Sequence, residues 1–401
     1  MKVDPSSSAG ADSRSRLRRF VPKLLVLVGT FAALLVIGEV AVRSLTEIGP
    51  LLIVRDPKIG KRYVRNHDER IFVPEAGETV RLRFNREGFR GPNLAYEKPD
   101  GVSRVAVVGD SMTVLVATEE KKTWVARLQG HLNRSATGER WEVMNFGVSS
   151  ASTGQELVLY HEVVAQYEPD IVILALFVGN DVTDNSRRLT RAPRIYFDLA
   201  DDGGIRRLPY STGTDRLSAW ANQHSRLYVW YRTVMTLSRA RVRQSHERLE
   251  GRHLVFRTDE PGDLAHAWEL TRRLISTFAR DVEAQGSRFV VAILPSGPQI
   301  YDDLWSEILA AAGDDARYFD PSYAEKRLRA LCEEDGITCV ALLDRMRLEA
   351  ERTQTTGGER FFYDNGRRHF NDAGNALAAE IIANVPGITT SQFSLDSRPR
   401  K

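Results

Sequence analysis

The sequence predicts an α/β domain built on a five-stranded parallel sheet, and three observations predict it. Five short runs, residues 104–109, 141–146, 171–178, 288–294 and 337–342, are predominantly apolar and rich in β-branched side chains, the pattern of strands buried on both faces. Segments with helical spacing of apolar residues lie between them, as in Trp124-Val125-x-x-Leu128-x-x-x-Leu132. The first and third runs end in Gly109-Asp110-Ser111 and Gly179-Asn180-Asp181, turn sequences at the strand ends where open α/β sheets hold their ligands.

Taken in order, residues 1–23 form a polar, Ser-rich leader that ends in Arg14, Arg16, Arg18, Arg19 and Lys23. Residues 24–42 are apolar and long enough to cross a hydrocarbon core of roughly 30 Å; the basic cluster before them places the N-terminus in the cytoplasm and the rest of the chain outside. No good small-x-small cleavage site follows, which favours a retained anchor over a signal peptide. Glu39 stands four residues before Arg43, a spacing at which the two can pair.

Residues 43–103 read as an extended lead-in that ties the anchor to the main domain, with a half-exposed strand at 80–84 and a tight turn at 85–91. The main domain covers 104–385. It opens with a strand, a helix, the strand 141–146, a helix over 156–166 and the strand 171–178. The alternation then stops for an arginine-rich insertion, residues 184–262, predicted to contain one helix over 217–249 that carries Trp220, Tyr228, Trp230 and Tyr231. That aromatic stripe has two readings, packing on the core or lying as a lid against a membrane surface or anionic polymer. Helices are predicted over 264–284, 322–334 and 373–384, and the tail 386–401 is expected to be disordered. Cys332 and Cys339, the two cysteines, read either as a local disulfide or as buried thiols.

The net charge of +3 and the absence of zinc-finger or RNP-type spacing give no support for nucleic-acid binding. His-Glu-x-x-His, phosphate-loop and dinucleotide fingerprints are also missing, so neither a metal nor a cofactor is expected. Acyl transfer fits better. Ser111 follows the first strand as a candidate nucleophile, and His369, just before the last helix, is the histidine placed to reach back as its base. The backbone N–H groups of Ser111 and Gly147 with the Asn180 amide would supply an oxyanion hole. Asp110, Asp181 and Asn371 read as residues that fix loops by hydrogen bonding, and Asn371 or Asp372 as the cap of the final helix.

Gly109-Asp110-Ser111, Gly147, Gly179-Asn180-Asp181 and His369, in that order, resemble the four blocks of the SGNH, or GDSL, hydrolase superfamily across roughly residues 104–385. Residues 85–91 are similar to the Asn-x-x-Gly-Phe-Arg-Gly stretch of its membrane-anchored branch. The resemblance implies a flavodoxin-like three-layer sandwich of strand order 2-1-3-4-5, a serine nucleophile, and ester chemistry on lipids or acetylated carbohydrates. It also implies an orienting aspartate two or three residues before the histidine, but Arg367 and Gly366 stand there; Asp364 is the substitute in this sequence. The expected function is a membrane-anchored serine esterase with its domain periplasmic or extracellular. The alternatives are an O-acyltransferase of surface polysaccharide and a non-catalytic polymer-binding ectodomain.

Overall fold

The computed structural model describes residues 9–46, 49–134, 140–190, 192–210, 216–244, 251–363, 369–385 and 388. They fall into two compact units, one within 1–52 and 215–242 and the other within 53–214 and 243–401.

The first unit holds helix α1 (Ala9–Leu45), whose stretch Phe20–Leu45 contains an 18-residue window of mean hydropathy 2.4 and leaves nearly all its side chains exposed. The rest of this unit comes from the insertion and is described below.

The second unit begins with two antiparallel hairpins, β1 (Ile53–Asp56) with β2 (Gly60–Tyr63) and β3 (His67–Val73) with β4 (Glu78–Phe84). The single strand expected at 80–84 is therefore one arm of a hairpin. The turn after it is built as its sequence suggests: the Asn85 side chain accepts from the N–H groups of Glu87 and Phe89, and Gly88 turns the chain at φ +81°. Arg90, in the same turn, is buried and donates to the carbonyls of Val114, Leu115 and Thr118.

Strand β5 (Val102–Gly109), helices α2 (Ser111–Val114) and α3 (Trp124–Arg134), strand β6 (Arg140–Gly147), helix α4 (Thr153–Glu162), strand β7 (Ile171–Phe177) and helix α5 (Asp181–Asn185) follow. The insertion contributes a small hairpin, β8 (Phe197–Leu199) with β9 (Ile205–Arg207), and the helices α6 (Arg216–His224) and α7 (Arg226–Gln244). The one helix expected over 217–249 is thus two among its described residues, broken at Ser225. Helix α8 (Gly262–Ala284), strand β10 (Arg288–Leu294), helices α9 (Gly297–Ile300), α10 (Asp302–Ala312) and α11 (Tyr323–Glu334), strand β11 (Thr338–Ala341), and helices α12 (Leu343–Thr355) and α13 (Asp372–Ala383) complete the chain. Cys332 and Cys339 form a disulfide that ties the end of α11 to β11. The tail expected to be disordered lies, apart from residue 388, outside the described residues.

The five parallel strands have the order β11-β10-β7-β5-β6, which is 2-1-3-4-5 when the sheet strands are counted along the chain. Alternate residues of each strand feed two separate cores, as the two-residue period of a strand requires. Ala106, Val108, Leu174 and Ile293 pack with α4, α8 and α11 on one face. Val105, Val107, Ile173 and Ala292 pack with α3, α12 and α13 on the other. The architecture is a three-layer α/β sandwich. After β5 the chain crosses outward to β6 and then returns to the far side of β5 for β7, so a crevice opens at the carboxyl ends of β5 and β7.

Candidate active site

Ser111 sits in that crevice because three features force the chain to turn there. Gly109 ends β5 where a Cβ would collide with the Thr113 hydroxyl and press on the Ala175 carbonyl. Asp110 caps α2, its carboxylate accepting from Met112 N–H at 2.8 Å. Trp124 Nε1 and Arg90 hold the following carbonyls, at Met112, Val114 and Leu115. The Ser111 hydroxyl is half-buried and lies 3.4 Å from Asp110 Oδ2.

His369 is presented by a pinched loop. Phe362 and Phe370 pair across it, Tyr363 N–H donates to the His369 carbonyl at 3.1 Å, and Asn371 N–H donates to Phe361. Asn371 also caps α13 by accepting from Gly374 N–H at 3.0 Å, as its position predicts. Tyr363 Oη donates to the Ala117 carbonyl at 2.8 Å, which ties this loop to the segment just after α2.

The ring nitrogen that Asp364 was expected to hold is taken by another residue. Glu75, at the tip of the β3–β4 hairpin, has Oε2 at 2.7 Å from His369 Nδ1. Both side chains are about one-fifth exposed, and the hairpin tip is fixed by the N–H groups of Ala76 and Gly77 donating to the Val73 carbonyl. Asp364 lies outside the described residues. The lead-in, expected only to tie the anchor to the domain, therefore forms part of the site.

Two expected oxyanion donors are occupied. Gly147 N–H donates to Asn145 Oδ1 at 2.9 Å, while Asn145 Nδ2 donates to the Thr113 carbonyl at 2.7 Å. Gly147 is glycine because its Cα packs against the α2 backbone, where a Cβ would collide with Val114 N. It holds β6 against the nucleophile turn rather than presenting a free donor. The Asn180 amide donates to Asp181 Oδ1 at 3.2 Å and Asp184 Oδ2 at 2.9 Å. Ser111 N–H, at the first position of α2, and Ser150 N–H, beyond β6, make no hydrogen bond among the described residues. Ser150 is a non-glycine residue held at φ +56°, a conformation that costs about 1–2 kcal/mol. Its carbonyl accepts from Lys61 Nζ at 2.8 Å, and Tyr63 Oη shares a hydrogen bond with Ser149 Oγ at 2.6 Å. Sequence reasoning passed over Lys61, Tyr63 and Ser150, because nothing in their local pattern separates them from ordinary strand and loop residues.

Beneath the serine turn lies an acidic layer: Asp110, Glu156, Asp181 and Asp184, with Arg194 on Asp184 at 2.8 Å. Burial pulls the Lys61 ammonium down to about 8, with Arg194 adding to the effect while Asp184 and Asp110 oppose it. Burial also raises Asp110, and it raises Asp181 and Glu156 well above the carboxylate range, their neighbours' charges adding to the last two. Neither Glu156 oxygen has a hydrogen-bond partner among the described residues. The folded state therefore keeps a proton that the unfolded chain releases as pH rises above the ordinary carboxylate range, and stability declines with pH from there upward. Glu156→Gln is expected to lessen that decline and to raise the melting temperature of the detergent-solubilised chain at pH 8 by about 2 °C or more. A melting temperature equal to or below wild type at pH 8, with the same slope, would contradict the protonated carboxyl.

Among the described residues no cluster of His, Cys, Asp and Glu is arranged to hold a metal ion. No protein-family model and no curated protein matches the sequence. Solved structures similar to the chain include an acetyl xylan esterase, AlAXEase, at 13% identity and a TM-score of 0.39, covering 70% of this chain and 97% of that one. LAE5, an α/β hydrolase enzyme from the metagenome of Lake Arreo, Spain, matches at 14% identity and a TM-score of 0.38, covering 74% and 99%. A G-D-S-L family protein from Desulfitobacterium hafniense DCB-2 matches at 12% identity and a TM-score of 0.33, covering 70% and 98%.

Proposed function

We propose that the chain is a serine esterase, held to a membrane by α1, that cleaves acyl esters of carbohydrate or lipid alcohols outside the cytoplasm. The observation that carries this reading is the 2.7 Å pair between Glu75 and His369, on a loop that Tyr363 ties to the segment following the Ser111 helix. A carboxylate on Nδ1 fixes the tautomer that leaves Nε2 as an acceptor, which is what a serine hydroxyl needs from its base. His369 then takes the Ser111 proton as Oγ bonds to the ester carbonyl carbon. The N–H groups of Ser111 and Ser150 receive the oxyanion, and Asn180 joins them by releasing one of its carboxylate partners. Collapse expels the alcohol with the proton from His369, and water, activated by the same imidazole, frees the acid from Oγ. The basic residues in the first turns of α1, ahead of its apolar stretch, and the Cys332–Cys339 disulfide both support placing the domain in an oxidising compartment outside the cytoplasm.

The test is acetate release from an acetylated oligosaccharide by the purified full-length chain, alongside labelling by a fluorophosphonate probe. Acetate released catalytically with the label on Ser111 is the expected result. Neither release nor labelling would reject the esterase.

A further inference from the structure

We propose that the helical pair α6–α7 is a membrane-surface element that lies in the headgroup layer of a phospholipid bilayer beside the outer end of α1. The proposal rests on the reading of α1 as a retained anchor.

Glu39 is the one carboxylate in Phe20–Leu45, and it is not left to face lipid. Its Oε1 accepts from Arg226 N–H at 2.9 Å and from Arg43 Nε at 2.7 Å; its Oε2 accepts from Ser225 Oγ at 2.8 Å and from Leu227 N–H at 3.1 Å. A carboxylate on α1 thus caps the N-terminus of α7, where the unpaired N–H groups and the helix dipole favour negative charge. Arg43, one turn further on, donates to the His224 carbonyl at 2.8 Å and so caps the end of α6. Leu51 N–H donates to the Asn222 carbonyl at 3.0 Å, and Gly38 lies close against the Leu227 side chain. The α6–α7 corner is hooked to α1 at one level.

That level follows from helix geometry. Phe20 to Glu39 is twenty residues, about 30 Å of helix at 1.5 Å per residue, which matches the hydrocarbon thickness of a bilayer. The corner therefore stands where hydrocarbon gives way to headgroups. Leu217 and Trp220 on α6, and Trp230, Tyr231 and Val234 on α7, are exposed, with the first at 74% and the two tryptophans at 57% and 41%. Trp and Tyr gather at that depth in membrane proteins because their rings are apolar and their polar edges are wet. Arg232 is exposed on the same helix, a suitable partner for lipid phosphate. Of the two readings of the aromatic stripe, packing on the core does not describe Trp220, Trp230 and Tyr231, which stay exposed; the bilayer supplies their cover.

The full-length chain would be reconstituted in bilayers of phosphatidylcholine brominated near the headgroup end of its acyl chains, and tryptophan fluorescence measured. Wild type is expected to be quenched, and the Trp220→Phe/Trp230→Phe variant to lose at least half of that quenching, since the other four tryptophans lie in the second unit. Glu39→Ala should lower the quenching in the same direction while the chain stays in the membrane fraction. A chain released by alkaline carbonate would overturn the anchor and this proposal together. A chain retained in the membrane, but quenched equally with and without Trp220 and Trp230, would overturn the surface alone. So would protection of both residues from brominated lipid and from aqueous iodide, which would place them against a protein.

Discussion

Ser111→Ala is expected to lower kcat for acetyl-ester hydrolysis by about 10⁴–10⁶-fold, and His369→Ala by nearly as much, while the double variant falls no further than the worse of the two. The reason is that nucleophile and base act as one unit: a hydroxyl without its base does not attack, and a base without its hydroxyl has only water to activate. What survives comes from binding and from the oxyanion donors, which neither change removes. Steady-state rates on p-nitrophenyl acetate, with fluorophosphonate labelling of each variant, measure this. Multiplicative losses in the double variant, or a fall of less than about tenfold in either single one, would place the chemistry elsewhere.

How much of this could be read from the chain depended on whether the physical signal was local. The sheet was legible because a strand buried on both faces has to be apolar throughout, as Ile171–Phe177 is. The nucleophile turn was legible because a strand running into Gly109-Asp110-Ser111 has few ways to continue. The cap at Asn371 and the turn at residues 85–91 follow from short-range hydrogen bonding of Asn and the freedom of Gly88. Arg90, by contrast, is a cation that the sequence places in an exposed-looking turn, and only the folded chain reveals that it is buried on the carbonyls of the serine helix. The occupied donors of Gly147 and Asn180 were hidden for a similar reason, since their partners are set by tertiary packing. Helix α6–α7 was read as one helix because no Gly or Pro marks the break at Ser225; the interruption is made by Glu39, 186 residues away. Gly366 and Arg367 depart from the resembled pattern, but nothing local in the sequence points to Glu75, whose contact with His369 is made by tertiary packing.

That partner supplies the second large effect. Glu75→Gln is expected to lower kcat/KM by about 10²–10⁴-fold, because an amide fills the same space but no longer stabilises the imidazolium that forms as Ser111 gives up its proton. The 2.7 Å contact joins a hairpin tip to a loop 294 residues later, so Glu75 acts through His369 as a positioning residue and touches no substrate. The loss should fall on kcat, with KM and the melting temperature nearly unchanged. Glu75→Asp keeps the charge on a shorter stem and should recover part of the rate. A role confined to holding the hairpin would behave differently: Glu75→Gln would lower the melting temperature and the yield of active protein, and kcat per active site would stay at the wild-type value. The second outcome, or an active site that works equally well without the carboxylate, would return the orienting role to the loop that carries Asp364.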